Sequence, residues 1–285
     1  MLGLAVRENF KEAFPGAAIY IVNRTRDLSA SQVFVSLGVE EIPKYEFDVI
    51  VHAGSPASPK DHVVASNVFH ANVNLTEQLV NSVRRGGVFI YFSSGEVYGR
   101  SSTKSLNEDS PLRPVLAGPR SYYPLAKLAG ESISMSRSDI RSVVFRVFHT
   151  FGPGLREGDG RSFGDLLWGA KKHSRLELFS SGSQVRSFLD SRDLARAVEL
   201  SAREKWVSGV FNVGSEQEIS IRQFADLVAS LTDSKITYSN SEASPVELSS
   251  IERLIPNIDK LKNIGWERTI SLERTIIETV SSFRT

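Results

Sequence analysis

Short apolar, β-branched runs alternate with longer stretches of helical periodicity through the first half of the chain. The opening residues to Phe14 form an amphipathic helical pattern, and Pro15-Gly16 stops it. Residues 18–22 and 48–52 predict buried strands, and the pattern from about 63 to 84 predicts the helix between the second of these and the next strand. That strand is the apolar run Phe89-Ile90-Tyr91-Phe92, which empties into Ser93-Ser94-Gly95-Glu96. A polar loop over 100–119, a helix carrying Tyr123 and Lys127 and a strand over 142–148 follow. Such alternation predicts a doubly wound parallel α/β sheet with right-handed crossovers. After Gly152-Pro153-Gly154 the pattern loosens into short strands near 176–179 and 236–238, with helices over 221–231 and 272–283. The expected division is a dinucleotide-binding part, 1–152, and a smaller substrate lobe, 153–285, interleaved with the last sheet strands and joined without a flexible linker.

The chain has 285 residues, 34 Lys+Arg against 33 Asp+Glu, and no Cys. That length buries a sizeable core. The near-zero net charge gives no reason to expect nucleic acid or a membrane surface as partner. The absence of Cys excludes disulfides and thiolate-bound metals and suits a reducing compartment, so a cytoplasmic location is expected. No apolar run has the length of a membrane span, and the opening residues lack a signal-peptide pattern.

The candidate chemistry sits in Ser121-Tyr122-Tyr123-Pro124-Leu125-Ala126-Lys127. A helix puts Tyr123 and Lys127 on one face, one turn apart. An adjacent ammonium favours the ionised phenol, which makes Tyr123 a usable base near neutral pH. Ser94, at the carboxyl end of a buried strand, lies where open α/β sheets bind ligands and can orient the hydroxyl that Tyr123 deprotonates.

Together these segments resemble the extended short-chain dehydrogenase/reductase family, in particular its nucleotide-sugar epimerases, dehydratases and decarboxylases. His52-Ala53-Gly54-Ser55-Pro56-Ala57-Ser58-Pro59 and Gly118-Pro119-Arg120-Ser121-Tyr122-Tyr123 are similar to segments of UDP-glucuronate decarboxylases. Arg146-Val147-Phe148-His149-Thr150-Phe151-Gly152-Pro153, Gly182-Ser183-Gln184-Val185-Arg186-Ser187-Phe188, Phe211-Asn212-Val213-Gly214 and Leu261-Lys262-Asn263-Ile264-Gly265-Trp266 match further landmarks of the family. The resemblance implies NAD or NADP as cofactor, a nucleotide-diphosphate sugar as substrate and a homodimer. It implies Ser94, Glu96, Tyr123 and Lys127 as the catalytic set, with Tyr123 and Lys127 also touching the cofactor. Gly3, Asn23, Arg24, Ala53, Gly54 and Asn72 would complete the cofactor site, and Ser55, His149 and Arg186 would hold substrate. Glu96 would act near C5 of the sugar, and Arg186 would clamp the diphosphate.

The chain departs from the family in several places. Gly95 stands where dehydratases carry Asp and decarboxylases Ser. Asn23 stands where NAD enzymes usually carry an acid, and the adjacent Arg24 leans toward NADP. His149 replaces an Asn; it is either a phosphate donor or a packed ring. Asp159-Gly160-Arg161 is either a substrate loop or a turn. The family opens with a strand and a glycine-rich turn, whereas Met1-Leu2-Gly3 already reads as the helix after that turn, with Gly3 as its third glycine. The expectation is that the central first strand and most of the phosphate loop are missing. A fragment or mis-called start, a natural short form that binds without catalysing, and another strand filling the gap all remain open.

Overall fold

The structure, a computed structural model, describes all residues except 23–33, 38, 55–64, 102, 117–120, 159, 239–250 and 284–285. In chain order, α1 (Leu2–Ala13), β1 (Ile19–Val22), β2 (Phe34–Leu37), β3 (Phe47–His52), α2 (Ala65–Asn81) and β4 (Val83–Ser94) come first. They are followed by α3 (Tyr122–Ser134), β5 (Arg141–Val147), β6 (Thr150–Phe151), α4 (Ser162–His173) and β7 (Arg175–Leu178). The remainder is β8 (Val185–Arg186), β9 (Leu189–Asp190), α5 (Ser191–Arg203), β10 (Gly209–Val213), β11 (Ile219–Ser220), α6 (Ile221–Thr232), β12 (Lys235–Tyr238), α7 (Asp259–Lys262) and α8 (Leu272–Ser282).

Four strands form a parallel sheet in the order β10-β5-β4-β3, and β1 pairs with β2 in a separate parallel pair. Along β4 successive side chains face opposite sides. Val88, Ile90 and Phe92 join Val143, Phe145, Leu194 and Val198 in a core closed by α1 and α5. Phe89 and Tyr91 join Ile50, Leu79, Val80 and Val144 on the other side, where α2 and α3 pack together. This is the α/β, doubly wound parallel arrangement expected from the alternating pattern. Among the described residues β1 and β3 are not hydrogen-bonded to each other, although the Tyr20 ring lies 5.6 Å from that of Phe47. A second core gathers Phe151, Phe163, Phe188, Phe224 and Ile276 from β6, α4, the link between β8 and β9, α6 and α8, with the β7–β12 pair beside it.

Two sequence expectations are corrected. The helix expected to reach 84 ends at Asn81, and β4 begins at Val83. Arg137 Nη1 donates to the carbonyls of Val80 and Val83, at 2.9 Å each, and so closes the helix end. Gly86, at φ +76°, and Gly87, whose Cβ would stand 2.8 Å from the Asp48 carbonyl, then let β4 run close beside β3. The second correction is β2, which the pattern does not mark; four residues carry too little periodicity to stand out.

Candidate active site

The carboxyl end of β4 carries the residues that matter. Ser94, paired in register with Val147 of β5, caps the 3-10 turn Gly95–Tyr98 by accepting from the Glu96 backbone N–H at 3.2 Å. α3 packs along β4 and against that turn. It closes Tyr123 and Lys127 into the protein, 8% and 4% exposed. Lys127 Nζ donates to the Phe92 carbonyl at 2.7 Å and lies 5.7 Å from the Tyr123 ring centroid. Burial pushes the Lys127 ammonium down to about 7, against an opposing pull from Glu131. The pair expected from spacing alone is therefore brought together on α3, and Ser94 ends the strand along which α3 packs.

Glu96 is half-buried, and its carboxylate favours the charge on Arg186, so these two expected site residues are electrostatically coupled. Arg186 is 4% exposed, and burial pushes its guanidinium down to about 10. Its nitrogens donate to the carbonyls of Val185 at 2.8 Å, Ile251 at 2.8 Å and Glu252 at 3.2 Å. Position 95 is closed: a Cβ there would stand 3.0 Å from the Phe148 ring. His149 packs edge-on to Phe163 and Phe188, with centroids at 6.1 and 5.8 Å. Gly160, at φ +82°, precedes the start of α4, while Asp159 lies outside the described residues.

Of the expected cofactor residues, Ala53 packs against the core at the end of β3, and Gly54 follows it. Asn72 is buried on α2, where its carbonyl accepts from Thr76 Oγ1 at 2.7 Å. Thr76 Oγ1 in turn lies 3.2 Å from His52 Nε2, which ties α2 to the strand end carrying Ala53. A Cβ at Gly3 or Gly54 would meet no atom within 4 Å, and the first turn of α1 holds neither an acidic residue nor a side-chain cap. The open space beside both glycines leaves backbone that an anionic dinucleotide can approach closely. Asn23, Arg24 and Ser55 lie outside the described residues.

Sequence reasoning missed a buried network behind the pair. Glu131 accepts from Ser93 Oγ at 2.5 Å and from Arg146 Nη2 at 2.8 Å. Arg146 Nη1 also donates to Tyr98 Oη at 2.9 Å, and Tyr98 Oη donates to Asn212 Oδ1 at 2.7 Å. Spacing offered one signal, since Glu131 follows Lys127 by four residues on the same helical face.

Residues 27–214 match the model of the NAD dependent epimerase/dehydratase family. The chain belongs to this family. Among curated relatives it is 30% identical over 246 residues to UDP-glucuronic acid decarboxylase 1 of Danio rerio, covering 84% of this chain and 57% of that protein. It is 26% identical over 250 residues to UDP-N-acetyl-alpha-D-glucosaminuronate decarboxylase of Bacillus cytotoxicus, covering 84% of this chain and 77% of the relative. The chain thus spans little more than half the length of the zebrafish protein. Among solved structures, MoeE5 in complex with UDP-glucuronic acid and NAD superposes with a TM-score of 0.83 at 19% identity, over 99% of this chain and 95% of that one. UDP-glucose 4-epimerase of Thermotoga maritima gives 0.82 at 19%, over 99% and 95%. These likenesses establish the shared Rossmann-like fold. Membership of this epimerase/dehydratase family makes NAD the cofactor class of the site.

Proposed function

We propose that this chain is the catalytic part of a nucleotide-sugar-modifying enzyme that oxidises C4 of the sugar transiently, and that its reaction is decarboxylation of a UDP-hexuronate. Tyr123 takes the proton of the 4-hydroxyl. Lys127, one turn on, supports the ionised phenol. Ser94 orients the hydroxyl being deprotonated. Bound NAD supplies a reversible oxidation at C4 and is regenerated within the cycle. Arg186 offers its charge to the diphosphate, and Glu96 stands beside it to move the proton at C5.

The observation that carries the choice of decarboxylation is the single carboxylate at the turn. A 4-ketone turns a C6 carboxylate into a β-keto acid, which loses carbon dioxide without a proton donor to the departing group. The electrons of the broken C5–C6 bond enter the C4–C5 enolate, and one proton returns to C5. Eliminating water from C6 instead needs an acid to protonate the leaving hydroxide. Glu96 is present, but Gly95 provides no second acid, and Phe148 fills the space into which one would extend. The names of the zebrafish and Bacillus relatives support the same reading. Inversion at C4 would leave Glu96 without a task, so 4-epimerisation is the second reading; 4,6-dehydration is the third, and a binding protein without turnover is the fourth. A homodimer through α2 and α3 and a cytoplasmic site of action belong to the proposal. Among the described residues no helix is long and apolar enough to cross a membrane.

The test is a turnover panel: UDP-glucuronate, UDP-N-acetylglucosaminuronate, UDP-glucose and dTDP-glucose, with Tyr123→Phe as control. Carbon dioxide release from a uronate, lost by about a hundredfold or more in the control, is the expected result. A 4-keto-6-deoxy product or C4 inversion selects a rival reading. Absence of any turnover selects the binding protein.

A further inference from the structure

Lys127 is buried with its charge, and no sequence motif says what makes room for it. Two aromatic faces flank the ammonium, the Tyr123 ring at 5.7 Å and the Tyr91 ring at 5.1 Å from centroid to Nζ. Tyr91 belongs to β4, two residues before Ser93, and is 1% exposed. A ring face within about 6 Å attracts a cation, and more strongly when water is excluded.

The rest of the shell suits a cation as well. The Phe92 carbonyl accepts from Nζ at 2.7 Å. On α3 itself, Glu131 supplies a negative charge, shared with Arg146 of β5. From β3, His52 packs against the Tyr91 ring at 5.4 Å between centroids. Burial, helped by the Lys127 charge, pushes His52 down to about 3, so it stays neutral and does not repel the ammonium. Burial also pushes the Tyr91 phenol far up, with smaller contributions from Tyr123 and Glu131, so the ring stays neutral and is no rival base.

The placement of Tyr91 is also demanding. A Cβ at Gly130 would fall 2.1 Å from Tyr91 Oη. The side chain is therefore accommodated by a bare backbone in the catalytic helix, three residues after Lys127. A leucine would fill this core without that requirement.

We propose that Tyr91 is a positioning residue for Lys127, its ring forming with that of Tyr123 the two walls of a cage for the buried ammonium. The proposal rests on the reading of Tyr123 and Lys127 as the reacting pair.

The experiment follows the Lys127 ammonium directly, by NMR titration of lysine-labelled full chain, with Lys127→Met assigning the signal. Tyr91→Leu removes the wall and is expected to lower the titration midpoint by about one pH unit. Tyr91→Phe keeps the ring and is expected to leave the midpoint in place. With substrate, the alkaline limb of kcat should move down with the midpoint in Tyr91→Leu while KM for the UDP-sugar holds. A core residue without this role would change thermal stability and leave both titrations alone. If Tyr91→Leu does not fold, Tyr91→Met removes the ring with an unbranched side chain that adapts to the gap, and its midpoint is read instead. An unmoved midpoint in the ring-free variant, or an equal shift in Tyr91→Phe, overturns the proposal. A lowered midpoint without turnover on any nucleotide sugar supports the cage and sinks the enzymatic reading, so the two failures are distinct.

Discussion

Arg146 and Glu131 form a buried ion pair, with Nη2 2.8 Å from Oε2 and Nε 3.0 Å from Oε1. The pair joins β5 to α3. Ser93 donates to the same carboxylate, and its neighbour Phe92 receives Lys127. Two consecutive strand residues thus hold two helical residues four apart, which sets the register of Tyr123 against Ser94.

Breaking that pair from one side is expected to be severe. Arg146→Met or Glu131→Leu leaves a buried charge alone and should cost about 3–5 kcal/mol. The double replacement removes both charges and should lose much less than the sum of the two. Urea unfolding of the three variants measures this, and additive losses would show that the charges act independently.

Gly130 gives a second expectation. Glycine to alanine within a helix usually stabilises, by about 1 kcal/mol. Here the added methyl meets Tyr91 Oη at 2.1 Å, and overpacking should instead destabilise by about 1–3 kcal/mol. Combining Gly130→Ala with Tyr91→Leu should recover part of the loss in thermal melts. No recovery would mean that the strain lies elsewhere.

His52 makes stability depend on pH. Its folded value, about 3, lies below the ordinary 6.5. The unfolded chain therefore takes up the proton first. The contribution is intact above about pH 6.5 and declines as pH falls toward about 3, by about 1.4 kcal/mol per unit. Unfolding free energies from urea titrations at pH 7.5 and 5.0 should differ by about 2 kcal/mol on this account, and His52→Gln should flatten the difference. An unchanged slope in that variant would assign the effect to other groups.

Arg186 has a double task in this structure. It holds the carbonyls of residues 251 and 252 and faces Glu96. A lysine presents one point charge where the guanidinium presents a planar fork. Arg186→Lys should lower thermal stability and weaken UDP-sugar binding by about 1.5–3 kcal/mol, the scale of lost charged hydrogen bonds. Calorimetric titration with a UDP-sugar decides; a wild-type binding curve would remove Arg186 from the site.

The parallel α/β sheet, the strand ending at Ser94 and the helix bearing Tyr123 and Lys127 were legible in the sequence. Each depends on local periodicity and on residues a fixed number of positions apart, which chain geometry turns directly into a shared face. Boundaries such as the start of β4 were not, because Arg137, more than fifty residues away, closes the preceding helix by capping Val80 and Val83. The surroundings of the site were likewise decided by tertiary structure. Phe148 lies 53 positions beyond Gly95 in the sequence yet fills the space beside it. Tyr91 reads as one more apolar strand residue until β4 and α3 are packed, and only then does its ring stand beside Lys127. Burial, charge pairing and crowding belong to groups brought together from different elements, so no spacing along the chain encodes them.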